Sequence, residues 1–189
     1  MVPVGRLPDR DELERARGRT IPDVLPGPGD PPLRVLFCGI NPGLVSAATG
    51  HHFARPGNRF WPVLHESGFT PRLLRPDEQD ELARCGLGIT NMAPRATARA
   101  DELTDDELVA GGQRLRELVG EHRPDRLAVV GIGAYRTAFG RRDAVVGEQD
   151  ERLGGTGVWV LPNPSGLNAH WSRAAMVAEF ARLRAVAGG

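Results

Sequence analysis

Cysteine is scarce in this sequence: two in 189 residues, Cys38 and Cys85. They form no CxxC pair, and two thiols cannot hold a four-cysteine zinc or iron–sulfur centre. They read as small buried residues of a reducing compartment. Long apolar runs are also missing. No stretch approaches the roughly 20 residues that span a bilayer as a helix. The N-terminal "MVPVGRLPDRDELERARGRT" has no apolar core of signal-peptide length. The expectation is a cytoplasmic protein, in a bacterial-type cytosol or nucleoid, with no membrane partner. Charge of one sign is lacking too, since Lys plus Arg and Asp plus Glu are both 24. Any phosphate binding would therefore fall to a local basic face. Most of the basic residues are arginines, the side chain suited to bidentate phosphate contacts, although high arginine also follows genome composition.

Several signatures of other chemistries are absent. There is no G-x-S-x-G, no Walker loop and no zinc-type HExxH. "GIGAYR" (131–136) begins like a dinucleotide fingerprint but lacks the third glycine and an acidic residue about 20 positions on. The pair His51–His52 has no carboxylate or thiolate spaced to join it locally. No metal and no cofactor are expected.

Composition is that of an ordinary globular protein, 40% hydrophobic and 25% charged. Residues 1–31 read as a charged N-terminal extension, with a short helix in "DRDELERARG", followed by a Pro/Gly-rich linker, "IPDVLPGPGDPP", without a backbone ladder. Residues 32–189 read as one domain, within the size that supports a hydrophobic core. Four short apolar runs predict strands: "LRVLFCGI" (33–40), "LGITNMA" (87–93), "RLAVVGI" (126–132) and "GVWVLPN" (157–163). Their nearly continuous apolar character suits a parallel sheet covered on both faces. Helical patterns lie between and after them, over 58–68, 75–86, 103–124, 133–140 and 172–186. The third carries a Thr104/Glu107 capping box. Strand–helix alternation of this kind predicts an α/β fold, whose ligand site lies beyond the carboxyl ends of the strands.

Asn41, Asn91 and Asn163 all fall at or near those predicted ends and could converge on one crevice. "INPG" (40–43) is good turn chemistry, and from this segment alone the turn and a catalytic amide are equally good readings of Asn41. An amide cannot ionise near neutral pH, so Asn41 could hold a water but not take its proton. In "NPSGLN" (163–168) a polar loop competes with an exposed tip, where Leu167 would be a wedge and Ser165 and the loop amides would face phosphate. Phe53 is either core filler or a stacking platform for a flat ring, and Arg55 and Arg59 are either solvated charges or phosphate contacts.

Taken together, "LFCGINPGLVSAATGHHFARPGNRFWPVLHESGFTPR", "GITNMAPRAT" and "VWVLPNPSGLN" resemble the mismatch-specific uracil-DNA glycosylase and thymine-DNA glycosylase family. The likeness runs from about Ile21 to about Arg184; residues 1–20 lie outside it. The resemblance implies a three-layer α/β/α sandwich around a four-stranded parallel sheet. It implies a monomeric, monofunctional glycosylase that flips uracil, and often thymine or etheno-cytosine, from G-mismatched double-stranded DNA and cleaves the N-glycosidic bond, initiating base excision repair. Asn41 then matches the water-holding asparagine and Phe53 the aromatic that stacks on the flipped base. Ile40, Gly43 and Ser46 match the base pocket, with Asn91 as an accessory polar group and Asn163 at the pocket edge. Gly166 and Leu167 match the wedge, and the residues around Asn168 face the unpaired guanine, with Ser165 and Arg59 as further DNA contacts. This sequence departs from the family pattern after the wedge, with Ala169 and His170 where an arginine is usual. Faster uracil-DNA glycosylases carry an aspartate and a histidine where this chain has Asn41 and Asn163, which implies slow chemistry here.

Overall fold

Alternation within the apolar runs builds the molecule. In the computed structural model, which describes residues 6–166 and 168–188, five strands form one sheet. They are β1 (Val35–Gly39), β2 (Leu87–Asn91), β3 (Arg126–Val130), β4 (Gly147–Leu153) and β5 (Thr156–Leu161), in the spatial order β2-β1-β3-β5-β4. Val35, Phe37, Ala128, Val130, Trp159 and Leu161 point to one buried face. Leu36, Cys38, Leu127, Val129, Val158 and Val160 point to the other. The period of two explains why each run is apolar throughout: both faces are covered.

The helices are α1 (Arg10–Ala16), α2 (Leu44–Thr49), α3 (Phe60–Glu66), α4 (Glu81–Arg84), α5 (Asp105–His122), α6 (Ile132–Phe139) and α7 (Arg173–Val186). α3 and α7 bring Phe60, Val63, Leu64, Met176, Phe180 and Leu183 to the first face. α5 and α6 bring Leu115, Val119, Tyr135 and Phe139 to the second. This is the expected three-layer α/β/α arrangement. The capping box predicted at Thr104 is formed, with Thr104 Oγ1 accepting from the Glu107 N–H and the Glu107 carboxylate accepting from the Thr104 N–H.

Four details differ from the sequence reading. The sheet has a fifth strand, because β4 runs antiparallel to β5 along the edge. Its sequence, GEQDERL, alternates in burial with few apolar side chains, which suits an edge strand but leaves no apolar run. The expected helix over 75–86 is a 3₁₀ turn (Pro76–Glu78) and the one-turn α4; only Leu82 and Ala83 are buried there, so no apolar stripe sustains a longer helix. The short α2 occupies Leu44–Thr49, where no helix was expected. The segment before β1 carries a backbone pairing, since Val24 and Ile89 exchange antiparallel hydrogen bonds of 2.8 Å.

Candidate active site

The three parallel strands β1, β2 and β5 end side by side with β3, and the loops that leave them enclose a cleft of about 380 Å³. Asn41, Asn91 and Asn163 all line it, together with Ile40, Gly43, Ser46, Phe53 and Ser165.

The first loop is fastened by backbone bonds. Met92 donates to Gly39 O and Ala93 to Ile40 O, both at 2.8 Å, and Thr97 donates to Pro42 O at 3.2 Å. Asn41 is fixed within it. Its Nδ2 donates to the Arg95 carbonyl at 2.8 Å and to Thr97 Oγ1 at 2.7 Å. Thr97 has already committed its hydroxyl proton to Arg99 O at 2.7 Å, so it can only accept from Asn41. Both acceptors demand the NH₂ end of the amide, which leaves Asn41 Oδ1 as the acceptor at the cleft. Arg95 itself is anchored by its side chain, whose fork makes a bidentate pair with Glu107 at 2.6 and 2.9 Å. That pairing, with the Thr104 N–H, draws the Glu107 carboxyl down to about 2.

The base platform lies beside it. Phe53 has a left-handed backbone (φ 53°), an uncommon conformation for a bulky residue and one that collects at functional loops. One ring face stacks on Phe60 at 4.0 Å between centroids, and the ring reaches the cleft. Ser46 is buried in α2 and its Oγ accepts from the Ala54 N–H at 3.2 Å, tying the loop of Phe53 to that helix. Gly43 is the N-cap of α2.

The orientation of Asn91 follows from His52. The His52 ring is buried, and its Nε2 lies 2.9 Å from the Pro22 carbonyl, which accepts only. Burial lowers the pKa of this imidazole, so it is neutral with its proton on Nε2. Nδ1 must then accept from Asn91 Nδ2 at 3.3 Å. Asn91 Oδ1 is left over against Gly39, where a Cβ would stand 2.7 Å from it. Gly39 thus admits the Asn91 oxygen to the floor of the cleft.

The second loop is built differently. Asn163 Oδ1 accepts from the Ser165 N–H at 3.0 Å, and Asn168 Nδ2 donates to Asn163 O at 2.9 Å. Arg59, expected from the sequence as a DNA contact, braces this loop. Its guanidinium donates to the carbonyls of Ser165, Asn168 and Trp171 at 2.8, 2.9 and 2.8 Å. The Asn168 amide is likewise spent inside the loop, its Oδ1 accepting from the His170 N–H at 3.2 Å. These bonds engage both side chains within the protein. A Cβ at Gly166 would lie 2.7 Å from Gly57 O, so only glycine lets this loop pack on the 54–58 loop. Leu167, the expected wedge, lies outside the described residues.

Sequence reasoning missed Arg95, Thr97, Pro22 and Arg114, which act through contacts that no local pattern announces. Among the described residues no cluster of three or more His, Cys, Asp and Glu could hold a metal. "GIGAYR" opens α6, and its Gly131 makes room for Ile40 rather than for a nucleotide: a Cβ there would meet Ile40 Cδ1 at 3.0 Å.

An α/β/α sandwich with a polar, amide-lined cleft at the carboxyl edge of its sheet is the class these features define. The sequence profile of the Uracil DNA glycosylase superfamily matches residues 26–184. The chain belongs to that superfamily.

Proposed function

We propose that this protein is a monofunctional DNA glycosylase of the mismatch-specific uracil-/thymine-DNA glycosylase branch, hydrolysing the N-glycosidic bond of uracil opposite guanine in duplex DNA. The observation that carries this reading is the fixed amide of Asn41, which offers a carbonyl oxygen to a water at the cleft mouth. A base must leave the stack before its glycosidic carbon can be reached, at a cost that is smaller for a mispair. Phe53 then offers its open face to the flipped pyrimidine. Asn91 Oδ1, an acceptor, matches the N3–H donor of uracil or thymine and opposes cytosine, whose N3 is itself an acceptor.

In the reaction the bond between C1′ and the base nitrogen breaks with its electron pair leaving on the base. Backbone N–H donors aimed at the departing oxygens are each worth about 3–4 kcal/mol. The water held by Asn41 bonds to the oxocarbenium-like C1′ and loses a proton to solvent, from which the departed base anion takes one up. No carboxylate stands at position 41, so Asn41 cannot supply the roughly 10²–10⁴-fold contribution of a general base, and slow turnover is expected. All 24 basic residues counted as Lys plus Arg are arginines. With no lysine amine to form a Schiff base, strand cleavage by a lysine lyase step has no nucleophile, which supports a monofunctional enzyme. Exposed Arg55 lines the cleft and is the candidate phosphate contact.

A single-turnover assay on duplexes bearing uracil, thymine or etheno-cytosine opposite G or A tests the proposal. The expected product is an alkali-labile abasic site, formed fastest from uracil opposite G. Binding of the G·U duplex without any abasic product would make the protein a mismatch-binding domain instead.

A further inference from the structure

The segment preceding the family-matched region makes a separate set of contacts with the cleft. Pro22, Asp23 and Val24 run antiparallel beside β2, fixed by the two Val24–Ile89 backbone bonds. From there they hold Asn91 from two sides. On one side the Pro22 carbonyl sets the His52 tautomer that receives the Asn91 amide. On the other, Asp23 Oδ1 accepts from the Thr90 hydroxyl at 2.7 Å and Asp23 Oδ2 lies 3.3 Å from Arg114 Nη1. Arg114 Nη2 then donates to Thr90 Oγ1 at 3.0 Å and to the Asn91 carbonyl at 3.1 Å. Slightly upstream, Gly18 donates to Ala96 O and Ala96 to Arg19 O, both at 2.9 Å, so the same segment braces the loop that carries the two acceptors of Asn41.

We infer that residues 16–24 are a working part of the active site, and that Asp23 is a positioning residue which acts through Thr90 and Arg114 to aim Asn91 at the base. This deepens the proposed function and rests on it for its catalytic consequence. The geometric claim stands apart. Thr90 and Arg114 lie on different elements, β2 and α5; they bond each other directly, and the Asp23 carboxylate engages both. A misplacement near 1 Å can cost up to about 100-fold in rate, so a loosened Asn91 should register in chemistry more than in duplex binding.

The test uses the full chain and compares wild type, Asp23→Asn and Asp23→Ala. Asparagine keeps an acceptor for Thr90 and loses the charge that faces Arg114; alanine loses both. Single-turnover uracil excision from a G·U duplex is measured at saturating enzyme, alongside duplex Kd. Nitrogen-15 NMR follows the His52 ring and the Asn91 side-chain amide. We expect the excision rate to fall about tenfold in Asp23→Ala and less in Asp23→Asn, with Kd within about twofold of wild type and the Asn91 and His52 signals displaced in the same order. If Asp23→Ala does not fold, Asp23→Asn decides by the same readouts. Unchanged rate and unchanged signals would overturn the inference. A wild type that excises nothing would overturn the glycosylase reading alone, because the NMR comparison still tests the positioning.

Discussion

The two loops that face each other across the cleft are held in different proportions by main chain and side chain. The first, residues 39–43, is tied into the sheet through main-chain bonds to Met92, Ala93 and Thr97, and its asparagine is clamped by two acceptors. The second, residues 163–171, has a main-chain tie from the Arg59 N–H to Pro164 O at 2.9 Å, and the Arg59 side chain reaches three more of its carbonyls. A main-chain ladder gives a position little freedom, which suits a group that must hold a water at one angle to a sugar. A loop held largely through one guanidinium has more freedom to shift as a unit, which on the proposed function would suit a surface that follows a distorted duplex. On the proposed function, chemistry falls to the first loop and DNA engagement to the second.

The strongest way to break that division is to remove each anchor and read rate and binding separately. Asn41→Ala should lower single-turnover excision by roughly 10²–10³-fold while leaving G·U duplex binding close to wild type. Arg59→Ala should do the reverse. Three carbonyls lose their donor, so duplex Kd should rise by about tenfold and thermal stability should fall, while the rate at saturating enzyme changes less. Arg59→Lys should not restore binding, because one ammonium cannot reproduce the fork. Equal loss of rate and binding in both variants would erase the distinction between the loops.

Thr97 sharpens the comparison within the first loop. Thr97→Val removes one of the two acceptors that orient the Asn41 amide and should slow excision by about tenfold, whereas Thr97→Ser keeps the hydroxyl and should recover most of the rate. The smallest effect expected is a pH dependence. Burial depresses the folded pKa of His52 below its ordinary value of 6.5. The unfolded chain therefore takes the proton first. The stability contributed by neutral His52 is complete above that value and is lost as pH falls below it. Thermal melts from about pH 7 to about pH 5.5 should show a decline that is shallower in His52→Gln.

Much of this architecture was legible in the sequence, for reasons that can be named. The four parallel strands announce themselves because both faces of each are buried, which makes Val35–Cys38 and Val158–Leu161 continuously apolar. β4 does not, because an edge strand such as Gly147–Leu153 buries little; its readable signal was the Gly154–Gly155 turn that leads into β5. The three asparagines could be placed at one edge because each falls at or near the carboxyl end of a predicted parallel strand. Which end of each amide faces the cleft could not, since that depends on Thr97, the Arg95 carbonyl and the tautomer of His52, all brought in from other parts of the chain. Arg59 shows the limit most plainly: its sequence context suits a phosphate contact, and only the fold reveals the three carbonyls that occupy it.

The central claim is that the first loop is built to hold an amide and not a carboxylate. Nδ2 of Asn41 faces two acceptors, Arg95 O at 2.8 Å and Thr97 Oγ1 at 2.7 Å, and the Thr97 proton is already engaged with Arg99 O. A carboxylate there would place an oxygen against both and be repelled or reoriented. The most direct measurement is single-turnover uracil excision from a G·U duplex by Asn41→Asp, at saturating enzyme. The arrangement predicts a rate below wild type; a rate above it would show that the loop accepts a general base and that the clamped amide is not what positions the water.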